Sequence, residues 1–181
     1  MARKPVPPAK LVDTEMGKKP EGDGWFVVNI ADAASFGFDD EQYGFVFEGA
    51  VGTDFAHFGI NVRVLGPGKP ASMYHAESAQ EAYLVLQGEC MLVVEDEERA
   101  LRQWDFVHLP PGTAHVLAGA GDGPCAVLMV GARNVGEGLT FPASEAAAKY
   151  GASVDEDTDD RSVAYSGWGA PAQRHFAWPP A

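Results

Sequence analysis

Three things are scarce in this 181-residue chain: cysteine, positive charge and long apolar runs. Cys90 and Cys125 are the only cysteines, and they lack C-x-x-C spacing. A disulfide framework is therefore excluded, and both are read as reduced packing residues of a cytoplasmic protein. No apolar stretch approaches the ~18 residues of a membrane span, so no membrane partner is expected. The first ten residues are basic and proline-rich with no apolar core behind them, so no secretory signal is expected either. Lys and Arg number 13 against 26 Asp and Glu, a net charge of −13. Five of the 13 (Arg3, Lys4, Lys10, Lys18 and Lys19) lie in the first 19 residues, leaving 8 against 24 acidic residues. That body repels a polyanion, which argues against nucleic acid as a partner.

What is present is enough to fold. Hydrophobic residues make up 46% of the chain and aromatics 10%, which excludes global disorder. At ~100–200 residues per domain, the length fits one domain with short arms. The 21 glycines and 13 prolines are spread out and punctuate short apolar runs, a pattern of many turns and short strands. Residues 1–24 read as a polar N-terminal arm. Residues 25–132 hold the strands: WFVVNI (25–30), YGFVFEG (43–49), FAHFGINVRVL (55–65), EAYLVLQ (81–87), CMLVVED (90–96), ALRQ (100–103), DFVHL (105–109), AHVLAG (114–119) and CAVLMVGA (125–132). Gly88-Glu89, between two of them, is a hairpin signal. No amphipathic helix separates the strands, which predicts an all-β barrel or sandwich. Residues 133–181 differ. FPASEAAAKYG (141–151) reads as a short helix capped by Ser144 and ended by Gly151. Tyr165, Trp168, Phe176 and Trp178 predict a tail that docks on the barrel or on a second subunit.

Two segments carry chemistry. In PGKPASMYHAESAQEAYLVLQGE, His75 and Glu77 share a strand face, and Glu81 joins them if no bulge intervenes. An imidazole and two carboxylates facing one interior require a cation. In WDFVHLPPGTAHVLAG, Pro111-Gly112 turns the chain and His115 follows. If the segments pair, His115 meets the first three. Two imidazoles with one or two carboxylates suit Fe, Mn, Ni or Zn as a divalent cofactor.

These residues resemble the two motifs of the cupins. The first motif is matched by His75, Glu77, Glu81 and Gly88 with its spacing kept. The second is matched by Trp104, Pro110, Gly112, His115 and Gly119. The likeness covers roughly residues 55–132. Glu77 stands where the family has a second His, Trp104 where it has Gly, and Gly119 where it has Asn. The resemblance implies a jelly-roll β-barrel of two antiparallel sheets and a metal set of His75, Glu77, Glu81 and His115. Glu77 is read either as the fourth ligand or as a catalytic base beside the metal.

Four more residues are candidates for the pocket. Arg63 anchors a substrate carboxylate if it points into the barrel and is a surface charge if it points out. Met73 and Tyr83 are pocket or core residues, and His57, like His108, either lines the pocket or is an ordinary half-buried histidine. The implied function is a divalent-metal-dependent enzyme, such as a dioxygenase or isomerase, acting on a small oxygenated metabolite. The alternative is a non-catalytic module that binds a sugar or small organic acid. A homodimer is expected, with WFVVNI or YGFVFEG supplying an open sheet edge.

Overall fold

The computed structural model describes residues 4–49, 55–136 and 138–180; Arg3 of the basic N-terminal stretch lies outside them. Strands β1 (Lys10–Thr14) and β2 (Gly17–Glu21) form a hairpin where the sequence reading expected an extended arm. Its turn works because Gly17 takes φ +117°, a conformation open to glycine.

The body is two antiparallel sheets. The larger is built from β3 (Ala34–Asp39), β4 (Gln42–Val46), β5 (Phe58–Leu65), β7 (Glu81–Gln87), β10 (Phe106–Leu109) and β12 (Cys125–Ala132). Its order is β10-β7-β12-β5-β4-β3. The smaller has order β11-β8-β9, from β8 (Glu89–Val94), β9 (Glu97–Arg102) and β11 (His115–Ala120). Two short strands, β6 (Ala76–Glu77) and β13 (Leu139–Thr140), pair beside them. Two single-turn helices follow, α1 (Glu145–Ala148) and α2 (Arg161–Ala164). Ser144 caps α1 as expected, its hydroxyl accepting from the Ala147 amide, but the helix is only four residues long.

The strands read as continuous apolar runs because the larger sheet is buried on both faces. On β5, β7 and β12, one parity (Leu65, Tyr83, Val85, Cys125 and Val127) packs inward against Leu92 and Leu117 of the smaller sheet. The other parity, including Val62, Val64 and Ala126, packs outward against Phe45 and Phe176. Phe176 stacks on Tyr43 at 4.7 Å, and Trp178 meets the ring of Phe45 edge-on at 5.7 Å. The tail thus covers the barrel of its own chain. Both cysteines are free and buried.

Three strand expectations are corrected. WFVVNI contributes one isolated bridge, Pro8 to Trp25, and no strand. Only Val28 and Ile30 of that run reach the outer apolar cluster, while Val27 is 82% exposed. YGFVFEG does form β4, but in the interior of the sheet between β3 and β5, so neither segment offers an open edge. The β3 edge is itself covered in part, where Gly37 and Ala172 exchange backbone hydrogen bonds. Gly88-Glu89 is no hairpin, because β7 and β8 lie in different sheets. Gly88 takes φ +72°, and a Cβ there would stand 2.6 Å from the Pro124 carbonyl oxygen. The glycine serves a tight crossover from one sheet to the other. Trp104 does what a glycine would do at its position: it takes φ +75° on the connection from β9 to β10, with its ring 66% exposed.

Candidate metal centre

His75 and His115 face each other through the backbone. Each amide donates to the other residue's carbonyl, at 3.1 and 2.8 Å, and the ring centroids are 4.9 Å apart. The Pro110–Thr113 turn sets this register, with Gly112 at φ +80° and its amide donating to the Glu77 carbonyl. Glu81 arrives from another direction, at the start of β7 opposite Leu109 and Gly131. Across that pair, the Glu81 carboxylate lies over Gly131, at ordinary contact distance from where a Cβ would stand.

The tautomers follow from the backbone. His75 Nδ1 lies 2.8 Å from the Met73 carbonyl, and His115 Nδ1 lies 2.9 Å from the Thr113 carbonyl. A carbonyl only accepts, so both Nδ1 atoms donate and the neutral rings present Nε2 lone pairs. Second partners of this kind orient metal-binding histidines. The His75, Glu81 and His115 ligand atoms all lie within 4.8 Å of one another. Glu81 Oε2 is buried 2.9 Å from His115 Nε2, and it has no hydrogen-bond donor while that ring is neutral. The Tyr83 hydroxyl lies 2.7 Å from the same nitrogen. An acceptor-only oxygen beside nitrogen lone pairs is a donor set for a cation, and these three residues fit a divalent metal.

Glu77 stands outside that three-residue group. Burial raises its pKa, and the neighbouring Glu81 charge adds to the effect. Burial also lowers the pKa of His75, with His115 pushing the same way. For His115, burial opposes the charged ring, but the Glu81 carboxylate and the Thr113 carbonyl outweigh it and the net shift is upward. A metal at Nε2 competes with that proton. Uptake is therefore complete at high pH and falls about tenfold per pH unit once the pH drops through the raised His115 value. The onset is expected above the ordinary 6.5, and zinc titrations against a chelating dye across a pH series check it. An onset below 6.5 overturns the assignment.

The remaining sequence candidates separate. Arg63 and Tyr83 line a cavity of about 270 Å³ together with His75 and Glu81. Arg63 points into the barrel, so its reading as a surface charge is corrected. Met73 is 4% exposed and packs with Phe141 and Ala164 away from that chamber, its sulfur accepting from Trp168 Nε1 at 3.1 Å. His57 and His108 are exposed and line none of these cavities, which corrects the half-buried reading. The alternation of exposed and buried residues on β10 turns His108 outward. Sequence reasoning missed Asn61, whose buried Oδ1 has no partner in the same chamber. Its parity with Arg63 on β5 was the available signal.

Residues 61–131 match the Cupin domain family. The barrel has the cupin-like fold. No curated protein matches the chain. Among solved structures, the putative sugar phosphate isomerase of Acidithiobacillus ferrooxidans ATCC 23270 is 32% identical over 42% of this chain and 51% of its own, with a TM-score of 0.41. The chain thus spans about half the length of that protein. The cupin-superfamily sugar phosphate isomerase of Silicibacter pomeroyi DSS-3 is 24% identical over 56% and 70%, with a TM-score of 0.48. The polyketide cyclase RemF of Streptomyces resistomycificus is 15% identical over 60% and 79%, with a TM-score of 0.51, a likeness of fold alone. Within this cupin-like barrel, the three-residue group joins His75 just before β6, Glu81 at the start of β7 and His115 at the start of β11.

Proposed function

We propose that this cupin barrel is a divalent-metal-dependent enzyme acting on a small oxygenated metabolite, with His75, Glu81 and His115 as metal ligands. The observation that carries this reading is the buried, donorless Glu81 Oε2 set against two imidazoles whose Nδ1 atoms are both committed to carbonyls. A bound divalent ion supplies Lewis-acid polarisation of a substrate oxygen. The chain's own residues do the rest. The Met73 and Thr113 carbonyls hold the rings in place. The size of the 270 Å³ chamber suits a small molecule. Burial and the Glu81 charge raise the Tyr83 pKa, so its hydroxyl keeps its proton and serves as a donor within reach of the ligand site. Glu77 lines an adjoining chamber with His75, and its raised pKa suits a group that exchanges protons with a substrate. Glu77 therefore acts as the base, and the ligand set has three protein members.

Elemental analysis of the purified protein and three variants tests this. About one equivalent of Fe, Mn, Ni or Zn is expected in the wild type and is lost in both His75→Ala and His115→Ala. Glu77→Gln keeps the metal and loses turnover. Full metal in both histidine variants, or no uptake by the wild type after anaerobic reconstitution, overturns the metal reading and favours the non-catalytic binding module. Lost metal in Glu77→Gln makes Glu77 a fourth ligand.

A further inference from the structure

Arg63 is a cation inside the barrel whose guanidinium forms no direct ion pair among the described residues, although Glu81 and Glu77 line the same spaces. It shares the inward parity of Asn61 and Leu65 on β5. Its register partner on β4 is Gly44, and Gly44 in turn pairs with Phe36 on β3. A Cβ on Gly44 would stand 3.0 Å from Arg63 Cδ, so the missing side chain is what lets Arg63 lie flat across β4. The guanidinium ends 4.8 Å from the centroid of the Phe36 ring. Among the described residues it makes no hydrogen bond and no ion pair. Arg133, another arginine that lines the same chamber, is by contrast engaged by Glu48 at 2.7 Å and the Phe55 carbonyl at 2.9 Å. Five N–H donors held over a ring and facing open space form a site that lacks its planar oxyanion.

The space in front of Arg63 has two parts. Arg63 and His75 both line the 270 Å³ inner chamber and an outer vestibule of about 490 Å³. The vestibule walls are aromatic. Phe38 meets Trp168 edge-on at 5.2 Å, Trp168 meets Tyr165 at 5.2 Å, and Tyr165 meets Phe141 at 5.8 Å. Arg161, over the Tyr165 ring at 5.3 Å, adds a second positive charge at the wall, against the single carboxyl group of Glu77. Edge-to-face aromatic walls accept another ring well and offer little to a body rich in hydroxyls.

We propose that this vestibule binds an aryl carboxylate, its carboxylate on Arg63 and its ring among Phe38, Tyr165 and Trp168. This names the substrate class of the proposed enzyme and rests on that reading for turnover; binding through Arg63 needs no metal. The carboxylate end then lies on the side of the vestibule that opens to His75 and the inner chamber. An arginine fork matches the planar carboxylate, whereas lysine offers a point charge without the fork.

Calorimetric titration of the full chain, chelator-treated and zinc-loaded, tests the proposal with benzoate, neutral benzamide and glucose 6-phosphate. Benzoate is expected to bind in both forms, and benzamide at least tenfold more weakly. Arg63→Met is expected to lose benzoate affinity at least tenfold with zinc stoichiometry unchanged and the melting temperature not lowered. Arg63→Lys, which keeps charge and stem, is expected to lose part of it and covers the case in which Arg63→Met does not fold. Equal binding of benzamide, wild-type affinity in both Arg63 variants, or Arg63-dependent binding of glucose 6-phosphate tighter than benzoate overturns the proposal. The zinc arm keeps the two readings apart. Benzoate binding without zinc uptake leaves the vestibule standing and removes the metal, and zinc uptake without benzoate binding does the reverse.

Discussion

Glu81→Gln is expected to leave the metal-free protein at least as stable as the wild type while abolishing most of the stabilisation that metal confers. The sign follows from the surroundings of the carboxylate. Its side chain is 15% exposed, and its Oε2 has no donor although His115 Nε2 lies 2.9 Å away. A buried charge without hydrogen bonds costs several kcal/mol, and an orphaned acceptor by itself about 1–3 kcal/mol. The amide is isosteric, removes the charge and brings donors toward His115 Nε2 and the Tyr83 oxygen. With metal the order reverses. A ligand at about 100 times its dissociation constant stabilises by ~2.7 kcal/mol, and a 100-fold loss of affinity leaves ~0.4 kcal/mol. For a chain of this length each kcal/mol moves the melting temperature by about 2–4 °C. Thermal melts with and without zinc should show a gain of about 5–10 °C for the wild type and at most ~2 °C for Glu81→Gln. A metal-free variant several degrees less stable than the wild type would instead make Glu81 and His115 a structural ion pair.

That contrast also shows what was legible in the site. That His75, Glu81 and His115 come together was expected from residue type and spacing, because metal-competent side chains at motif positions are a sequence property. Glu77 was grouped with them on strand parity and on its place in the first motif. Parity holds only along a continuous strand, and the chain breaks between β6 and β7 at residues 78–80. Glu81 reaches the histidines through β7 and the sheet pairing, while Glu77 turns to the adjoining chamber. The direction of Arg63 was open in the sequence for a related reason. Val62 and Val64 are as apolar as an inner face would be, and only the covering tail shows that they face outward.

The fold was legible where burial is simple. EAYLVLQ and CAVLMVGA became β7 and β12 at their expected bounds, since strands buried on both faces read as unbroken apolar runs. WFVVNI has the same composition and forms no strand, because nothing pairs along it beyond the single bridge at Trp25 and its apolar side chains are used singly. The β3 strand, ASFGFD, was passed over for its glycine and polar residues. Gly37 is nevertheless required there: a Cβ would stand 2.6 Å from the backbone of Gln42 and Tyr43 across the strand pair. Local composition is silent on such tertiary demands.

The tail makes the same point with a larger expected effect. Phe176→Ala should destabilise the protein by about 3–5 kcal/mol, the usual cost of truncating a buried phenylalanine, and lower the melting temperature by about 6–20 °C. Phe176 is 1% exposed and stacks on Tyr43 with an interplanar angle of 10°. Its amide donates to the buried Ser35 hydroxyl at 2.8 Å, and Tyr43 donates to the next carbonyl, that of Ala177, at 3.1 Å. The side chain thus plugs the outer face of the larger sheet at the point where the backbone is also fastened, and a cavity there has no mobile neighbour to fill it. Phe106→Ala on edge strand β10 is the control: the ring is 67% exposed, and its removal should stay within ~0.5 kcal/mol. Equal effects of the two substitutions, measured by thermal and denaturant unfolding, would mean that the tail does not hold this position in solution. A large Phe176 effect together with retained zinc binding would place the tail's contribution in the sheet's outer layer, separate from the histidines on the inner side.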